Sequence, residues 1–206
     1  MRCCSAFLAA ALFASPPTST CSTSAWPFYI FTAFIFSYGI GTLHVSRDFL
    51  LTAVLAASVL SFFCIPFFGH LSDRIGRKNM YMIGAVVTGV FGFVYFGLLN
   101  TGVATIIFLA IVVSLVPHDM MYGPQATLIA ESFTGRLRYS GSSLGYQLAS
   151  VIAGGPAPLI ATWLFGTYHS SYAIAVYIAA CAVLSLIATA LMTDYTGKDI
   201  AGEYAT

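Results

Sequence analysis

Six apolar stretches, each long enough to cross a bilayer as a helix, follow one another with almost nothing between them. They run over about 26–43, 48–68, 80–99, 103–131, 140–164 and 170–193. A spanning helix needs about 20 apolar residues. The connections are too short for a soluble domain: Val45 to Arg47, Gly69 to Lys78, Asn100 to Gly102, Glu131 to Tyr139, and Gly166 to His169. Only 7% of the residues are charged, against about a quarter in soluble domains. Mean hydropathy is +0.88. The expected fold class is an all-α membrane protein with six transmembrane helices.

The few charges are sorted by side. Arg74, Arg77 and Lys78 fall in the second connection, Arg136 and Arg138 in the fourth, and Lys198 in the tail. The opposite connections hold only Arg47, beside Asp48. Positive charge is retained on the cytoplasmic side. The second and fourth connections and both termini are therefore expected in the cytoplasm. Residues 26–194 form the expected bundle, and 195–206 a cytoplasmic tail. Met1 to Ala14 carries weak features of a signal peptide, an Arg followed by a short apolar run. The competing reading of residues 1–25 is an unstructured leader rich in Ser, Thr and Pro, or the mark of an upstream truncation.

A net charge of +1 gives no reason to expect nucleic acid as a partner. Five cysteines (Cys3, Cys4, Cys21, Cys64 and Cys181) show no paired spacing for a metal. No nucleotide loop, dinucleotide fingerprint or metal-ligand helix occurs, so no cofactor is expected. Gly141-Ser142-Ser143-Leu144-Gly145 matches a nucleophile elbow, but that elbow needs a strand–turn–helix. Ser142 and His169 lie at opposite ends of a helix of about 25 residues, more than about 30 Å apart. An intramembrane hydrolase is thus a minor alternative.

Two segments carry candidate chemistry. The first is Gly69-His70-Leu71-Ser72-Asp73-Arg74-Ile75-Gly76-Arg77-Lys78, with four of the chain's fifteen Asp, Glu, Lys and Arg residues. It reads as a tight charged hairpin. Asp73 is placed to cap a helix N-terminus. Arg74, Arg77 and Lys78 are placed to meet anionic lipid headgroups, and Gly69 and Gly76 allow close approach and a sharp turn. The second is Pro117 to Gln125. His118 and Asp119 lie about 12 residues, or roughly 18 Å, from Glu131, hence near mid-membrane. Ionisable groups there are costly and point to function. At helical spacing His118, Tyr122, Gln125 and Ile129 form a polar stripe, and Asp119, Gly123, Ala126 and Ala130 an adjacent small one suited to close packing. Tyr122 and Gln125 are substrate-lining candidates; His118 and Asp119 are proton-coupling candidates. The competing reading has this pair satisfying backbone freed by Pro117. Helix five offers Tyr146 and the face Ser143, Gln147, Ser150 and Gly154, for a cavity or for interhelical hydrogen bonds. Gly154-Gly155-Pro156-Ala157-Pro158 weakens that helix near its middle.

The charged segment, then Met121-Tyr122-Gly123-Pro124-Gln125-Ala126, Glu131 to Gly141, and Leu144-Gly145-Tyr146-Gln147-Leu148-Ala149 together resemble the C-terminal half of the metabolite/proton symporter family. That family lies within the major facilitator superfamily and carries shikimate, 2-oxoglutarate, citrate, or proline with betaine. The likeness runs from Trp26 to Asp194. It departs at Glu131-Ser132-Phe133-Thr134, where the family has a Glu-Leu-Phe-Pro-like run. The resemblance implies one half of a twelve-helix fold, corresponding to helices seven to twelve, in a bacterial inner membrane. It also implies proton-coupled transport of a small organic acid or zwitterion, with the substrate between two halves. The second half is then a homodimer partner or a separate chain, and Asp73 faces a helix of that half. A truncated, non-transporting fragment is the alternative.

Overall fold

The computed structural model of the chain describes residues 27–131, 138–154 and 156–191. The leader over 1–25, most of the fourth connection with Arg136, Gly155, and the tail over 195–206 lie outside the described residues. These contain seven helices: α1 (Pro27–Gly41), α2 (Arg47–Ile75), α3 (Arg77–Leu99), α4 (Ala104–Glu131), α5 (Arg138–Gly154), α6 (Pro156–Tyr168) and α7 (Ser171–Leu191). Four of them, α2, α3, α4 and α7, are long and apolar enough to cross a membrane. The first expected span is the shorter apolar helix α1, with a π-helical turn over Ile30–Phe34. The fifth is divided between α5 and α6, on either side of the Gly-Gly-Pro weak point.

α4 is the hub. It lies against α2 on one side and α3 on the other, and α3 carries α7. Half of the apolar window of α4 is buried, against 22% of that of α2. Glycines set the approach. A Cβ on Gly123 would stand 3.0 Å from the backbone N of Gly69 and 3.1 Å from the carbonyl O of Ile65, so α2 and α4 meet backbone to backbone. A Cβ on Gly84 would meet Met120 and Met121 of α4, and one on Gly89 would meet Ala182 of α7. Small residues at such crossings are how helices gain dispersion energy in lipid, where no hydrophobic force drives them together. Gly123 therefore performs the close packing expected of its stripe, although Ala126 of the same stripe is exposed.

At the end where α1 stops and α2 starts, an aromatic and aliphatic core joins Phe31, Phe34, Tyr38, Tyr95 and Phe96. Phe31 and Tyr95 meet edge to face at 4.9 Å. Asn100 closes that end, accepting from Tyr38 Oη (2.7 Å) and donating to Ser171 Oγ (2.9 Å). α2 begins at a capped terminus, Ser46 Oγ accepting from the Phe49 amide, with Asp48 in the first turn. Several hydroxyls inside the apolar helices return to their own backbone: Ser114 donates to Ile111 O (2.7 Å) and Thr127 to Pro124 O (2.9 Å). Internal satisfaction of this kind is what a bilayer demands of polar groups.

The charged segment is not the hairpin its composition suggested. α2 runs through Pro66 and Gly69 to Ile75, and α3 starts at Arg77. One residue, Gly76 with φ +103°, makes the turn. Asp73 is therefore in the last turn of α2 and does not cap α3, whose first residue follows Gly76 without a side-chain cap. Asp73 instead pairs with Arg77 at 3.0 Å, one helical turn on, and Arg77 also binds Glu131 at the end of α4. Lys78 donates to Ala190 O in the last turn of α7 (3.0 Å), where the negative end of the helix dipole favours a cation. Arg74 and Asp73 are exposed. Arg77 and Lys78, at the start of α3, thus tie it to the ends of α2, α4 and α7.

Gly123→Val should lower stability by about 1–3 kcal/mol through overpacking. Gly41→Ala, which has open space at its Cβ position, should leave it unchanged. Thermal unfolding in detergent compares the two; equal melting temperatures would contradict the backbone-to-backbone crossing. Gly76→Ala should cost about 1–3 kcal/mol in the same assay, because its backbone conformation is reserved for glycine.

Candidate functional site

A cavity of about 390 Å³ opens between α1, α2, α4 and α5. Volumes of this order suit a small organic ligand. Its floor comes from α4, through Leu115, His118, Asp119, Tyr122 and Gln125. α2 supplies Ser58, Ser61, Phe62 and Ile65. α1 contributes Phe28 and Tyr29, and α5 contributes Tyr146 and Ser150. One helical turn separates His118 from Tyr122, and another brings Gln125 to the same side, so a single helix presents three polar groups together.

The floor is buried. Asp119 and Gln125 are each 2% exposed and His118 is 5%. Burying such groups is costly unless hydrogen bonds or an opposite charge offset it. The offset here is incomplete. His118 Nδ1 lies 3.5 Å from Asp119 Oδ1, an ion-pair distance rather than a good hydrogen bond. Among the described residues, His118 Nδ1, Asp119 Oδ2 and Gln125 Oε1 find no hydrogen-bond partner. Ser61 Oγ on the facing helix has none either. The imidazole is held in place by rings: it stacks on Tyr122 at 5.6 Å, and the Phe28 ring centre is 5.2 Å away. Tyr146 Oη in turn reaches Tyr122 Oη at 3.4 Å, linking α5 to α4.

Of the candidates in the second segment and helix five, His118, Asp119, Tyr122, Gln125, Tyr146 and Ser150 meet in this cavity. Gln147 does not; it is exposed. Among the described residues, neither His118 Nδ1 nor Asp119 Oδ2 has a backbone partner. Sequence reasoning missed Ser58 and Ser61. Their i, i+3 spacing, which sets both on one face of an otherwise apolar run, was the available signal. It also missed Phe28 and Tyr29, whose aromatic character is indistinguishable from core packing. The residues of the charged segment stand apart from the cavity, at the Gly76 end of the bundle. Among the described residues no cluster of three or more His, Cys, Asp or Glu is placed to hold a metal.

Residues 27–200 match the family described as sugar (and other) transporter. The shikimate transporter of Escherichia coli (strain K12) is 34% identical over 171 residues, covering 81% of this chain and 38% of the relative. The glycine betaine/proline/ectoine/pipecolic acid transporter of Dickeya dadantii (strain 3937) is 28% identical over 175 residues, covering 85% and 35%. An inner membrane metabolite transport protein of Escherichia coli (strain K12) is 31% identical over 169 residues, covering 80% and 38%. The chain thus spans little more than a third of the length of these relatives. A hydrolytic reading of Ser142 and Ser143 finds no support among them; Ser142 Oγ donates to Tyr139 O at 3.4 Å. From the match over 27–200, the chain belongs to the sugar (and other) transporter family of the major facilitator superfamily, a family of membrane transporters and not of enzymes.

Proposed function

We propose that this chain is one half of a carrier that moves a small organic acid or zwitterion across a bacterial inner membrane, coupled to protons, by alternating access. The observation that carries this reading is the buried His118–Asp119 pair lining a cavity, with His118 Nδ1 and Asp119 Oδ2 unpartnered among the described residues. Intramembrane ionisable groups of this kind mark substrate and proton pathways. Either member of the pair is a candidate proton carrier, and Tyr122, Gln125 and Tyr146 are candidate substrate contacts. The relatives that carry shikimate and betaine support the substrate class, and their greater length supports a second six-helix half as partner.

Six spans follow if α1 counts as the first and α5 with α6 as an interrupted fifth. Discontinuous helices at binding sites are common in transporters, where half-helices line the midplane and one bundle rocks against another. The Gly76 turn, with Arg74, then faces the cytoplasm, and so do both termini.

A second reading, a non-transporting fragment, is favoured by the coverage of the relatives, little more than a third of their length. Uptake by proteoliposomes separates the two. With an acidic exterior, labelled shikimate or glycine betaine should accumulate above empty vesicles. Asp119→Asn should abolish the stimulation by the pH gradient, whereas Lys198→Ala should keep it. No uptake by protein shown to be inserted would leave the fragment reading. Uptake equally coupled in Asp119→Asn and His118→Ala would remove the proton assignment.

Orientation has its own check. Green fluorescent protein fused after Thr206 should fluoresce, and alkaline phosphatase fused there should be inactive. The reverse pattern would invert the topology.

A further inference from the structure

We propose that a proton entering the cavity is taken by His118, not Asp119, and that Phe28 and Tyr122 are positioning residues that hold the charged imidazole between their rings. The assignment rests on reading the His118–Asp119 pair as the proton site. It goes further by choosing the member of the pair and naming what holds it.

Access decides the member. Asp119 Oδ2 exposes under 1 Å² and finds no partner among the described residues. A proton arriving from the cavity has no direct path to that atom. The other carboxylate oxygen, Oδ1, has the His118 ring against it, with Nδ1 at 3.5 Å. His118 Nδ1 is sealed as Oδ2 is, but Nε2 is not. The carboxylate beside Nδ1 assigns the proton of the neutral ring to that nitrogen. The lone pair on Nε2 is then the one left to accept. Protonation forms an N–H bond at Nε2 and makes the ring an imidazolium, with Asp119 ionised beside it as counter-ion.

The rings explain how a buried cation is tolerated. The imidazole centre lies 5.6 Å from that of Tyr122, nearly parallel, and 5.2 Å from that of Phe28. Both are within the distance of about 6 Å at which the face of an aromatic ring attracts a cation. Neither ring belongs to the buried core, since Phe28 is 37% exposed and Tyr122 39%. Tyr122 follows His118 by one helical turn, but Phe28 comes from a different helix. Tyr146 Oη meets Tyr122 Oη at 3.4 Å and steadies that ring from α5. The other titratable groups on the cavity are Tyr29 of α1 and Tyr146 of α5, and α2 brings Cys64 within electrostatic reach of Asp119. α3 packs on α4 with Tyr81, whose hydroxyl meets Ser185. No Lys or Arg is among the described residues that line the cavity, so Asp119 is the charge His118 meets there.

Nitrogen NMR of the full chain in nanodiscs, with isotope-labelled histidine, reads the imidazole without requiring transport. The signal lost in His118→Gln identifies the residue, and the exposed His44, His70 and His169 serve as internal controls. On acidification His118 should become an imidazolium while infrared spectroscopy shows Asp119 still ionised. At fixed pH, Phe28→Leu and Tyr122→Leu should each lower the ratio of charged to neutral His118 at least about threefold. Phe28→Trp and Tyr122→Phe, which keep a ring, should restore it. Tyr122→Phe also removes the contact with Tyr146, so ring and hydroxyl are told apart. An unchanged ratio in the folded Leu variants overturns the proposal, and so does an equal loss in Tyr122→Phe. Acidification that protonates Asp119 and leaves His118 neutral overturns it in the wild-type chain, with no variant needed. A charged His118 held by these rings in a chain that moves no solute would sustain the site and defeat the transport reading. Uptake driven by a pH gradient, with Asp119 protonated and His118 neutral, would do the opposite.

Discussion

The closeness of α2 and α4 at Gly69 and Gly123 is the constraint on which the rest of the bundle depends. With backbone this near backbone, no side chain separates the two helices, and their register along each other is fixed. Gly123 lies between Tyr122 and Pro124 on α4, one turn from Asp119. The α2 face beyond that crossing carries Ser58 and Ser61, which line the cavity that Asp119 and Gln125 of α4 also line. Site and scaffold share one piece of geometry. A wider separation would open the cavity floor and weaken the contact that holds the core together.

Polar groups in this chain fall into two kinds, and the difference is informative. Many with a structural task are satisfied. Ser114 and Thr127 return to their own helix, Tyr81 Oη meets Ser185 Oγ at 2.9 Å, and Asn100 uses both its oxygen and its nitrogen. Those around the cavity are not. His118, Asp119 and Gln125 stay buried with valences open, although each open valence costs on the order of 1–3 kcal/mol. Among the described residues Tyr95 Oη and Thr189 Oγ1 are also open away from the cavity, but only around the cavity do several such atoms gather on one space.

Much of this was legible from residues alone, because lipid is a severe solvent. Runs of apolar residues had to become helices, and the positions of α2, α3, α4 and α7 follow those runs to within a few residues, except where α2 continues past its apolar stretch. That extension was hidden because Gly69, Gly76 and four charges look like a loop. In fact helical Gly69 serves packing, and the charges pair along and between helix ends. The α4 side of the cavity was readable from helical spacing, since one helix carries His118, Tyr122 and Gln125. The α1 and α2 sides were not. Which aromatic or serine faces α4 depends on how helices cross, and no single helix encodes that. Gln147 shows the same limit in reverse: it shares its predicted face with Ser150, yet Ser150 lines the cavity and Gln147 is exposed.

The single-residue turn at Gly76 has a mechanical consequence. A trans peptide leaves two soft torsions per residue, so φ and ψ of Gly76 alone set the angle between two membrane-length rods. α3, at 23 residues, is about 35 Å long. A change of about 10° at that joint would displace the far end of α3 by about 6 Å if nothing else yielded. Arg77 and Lys78, the first two residues beyond the joint, grip the ends of α4 and α7. They act as stays beside a hinge, and whatever slackens them would allow a few degrees of backbone rotation to become a movement as wide as a helical turn.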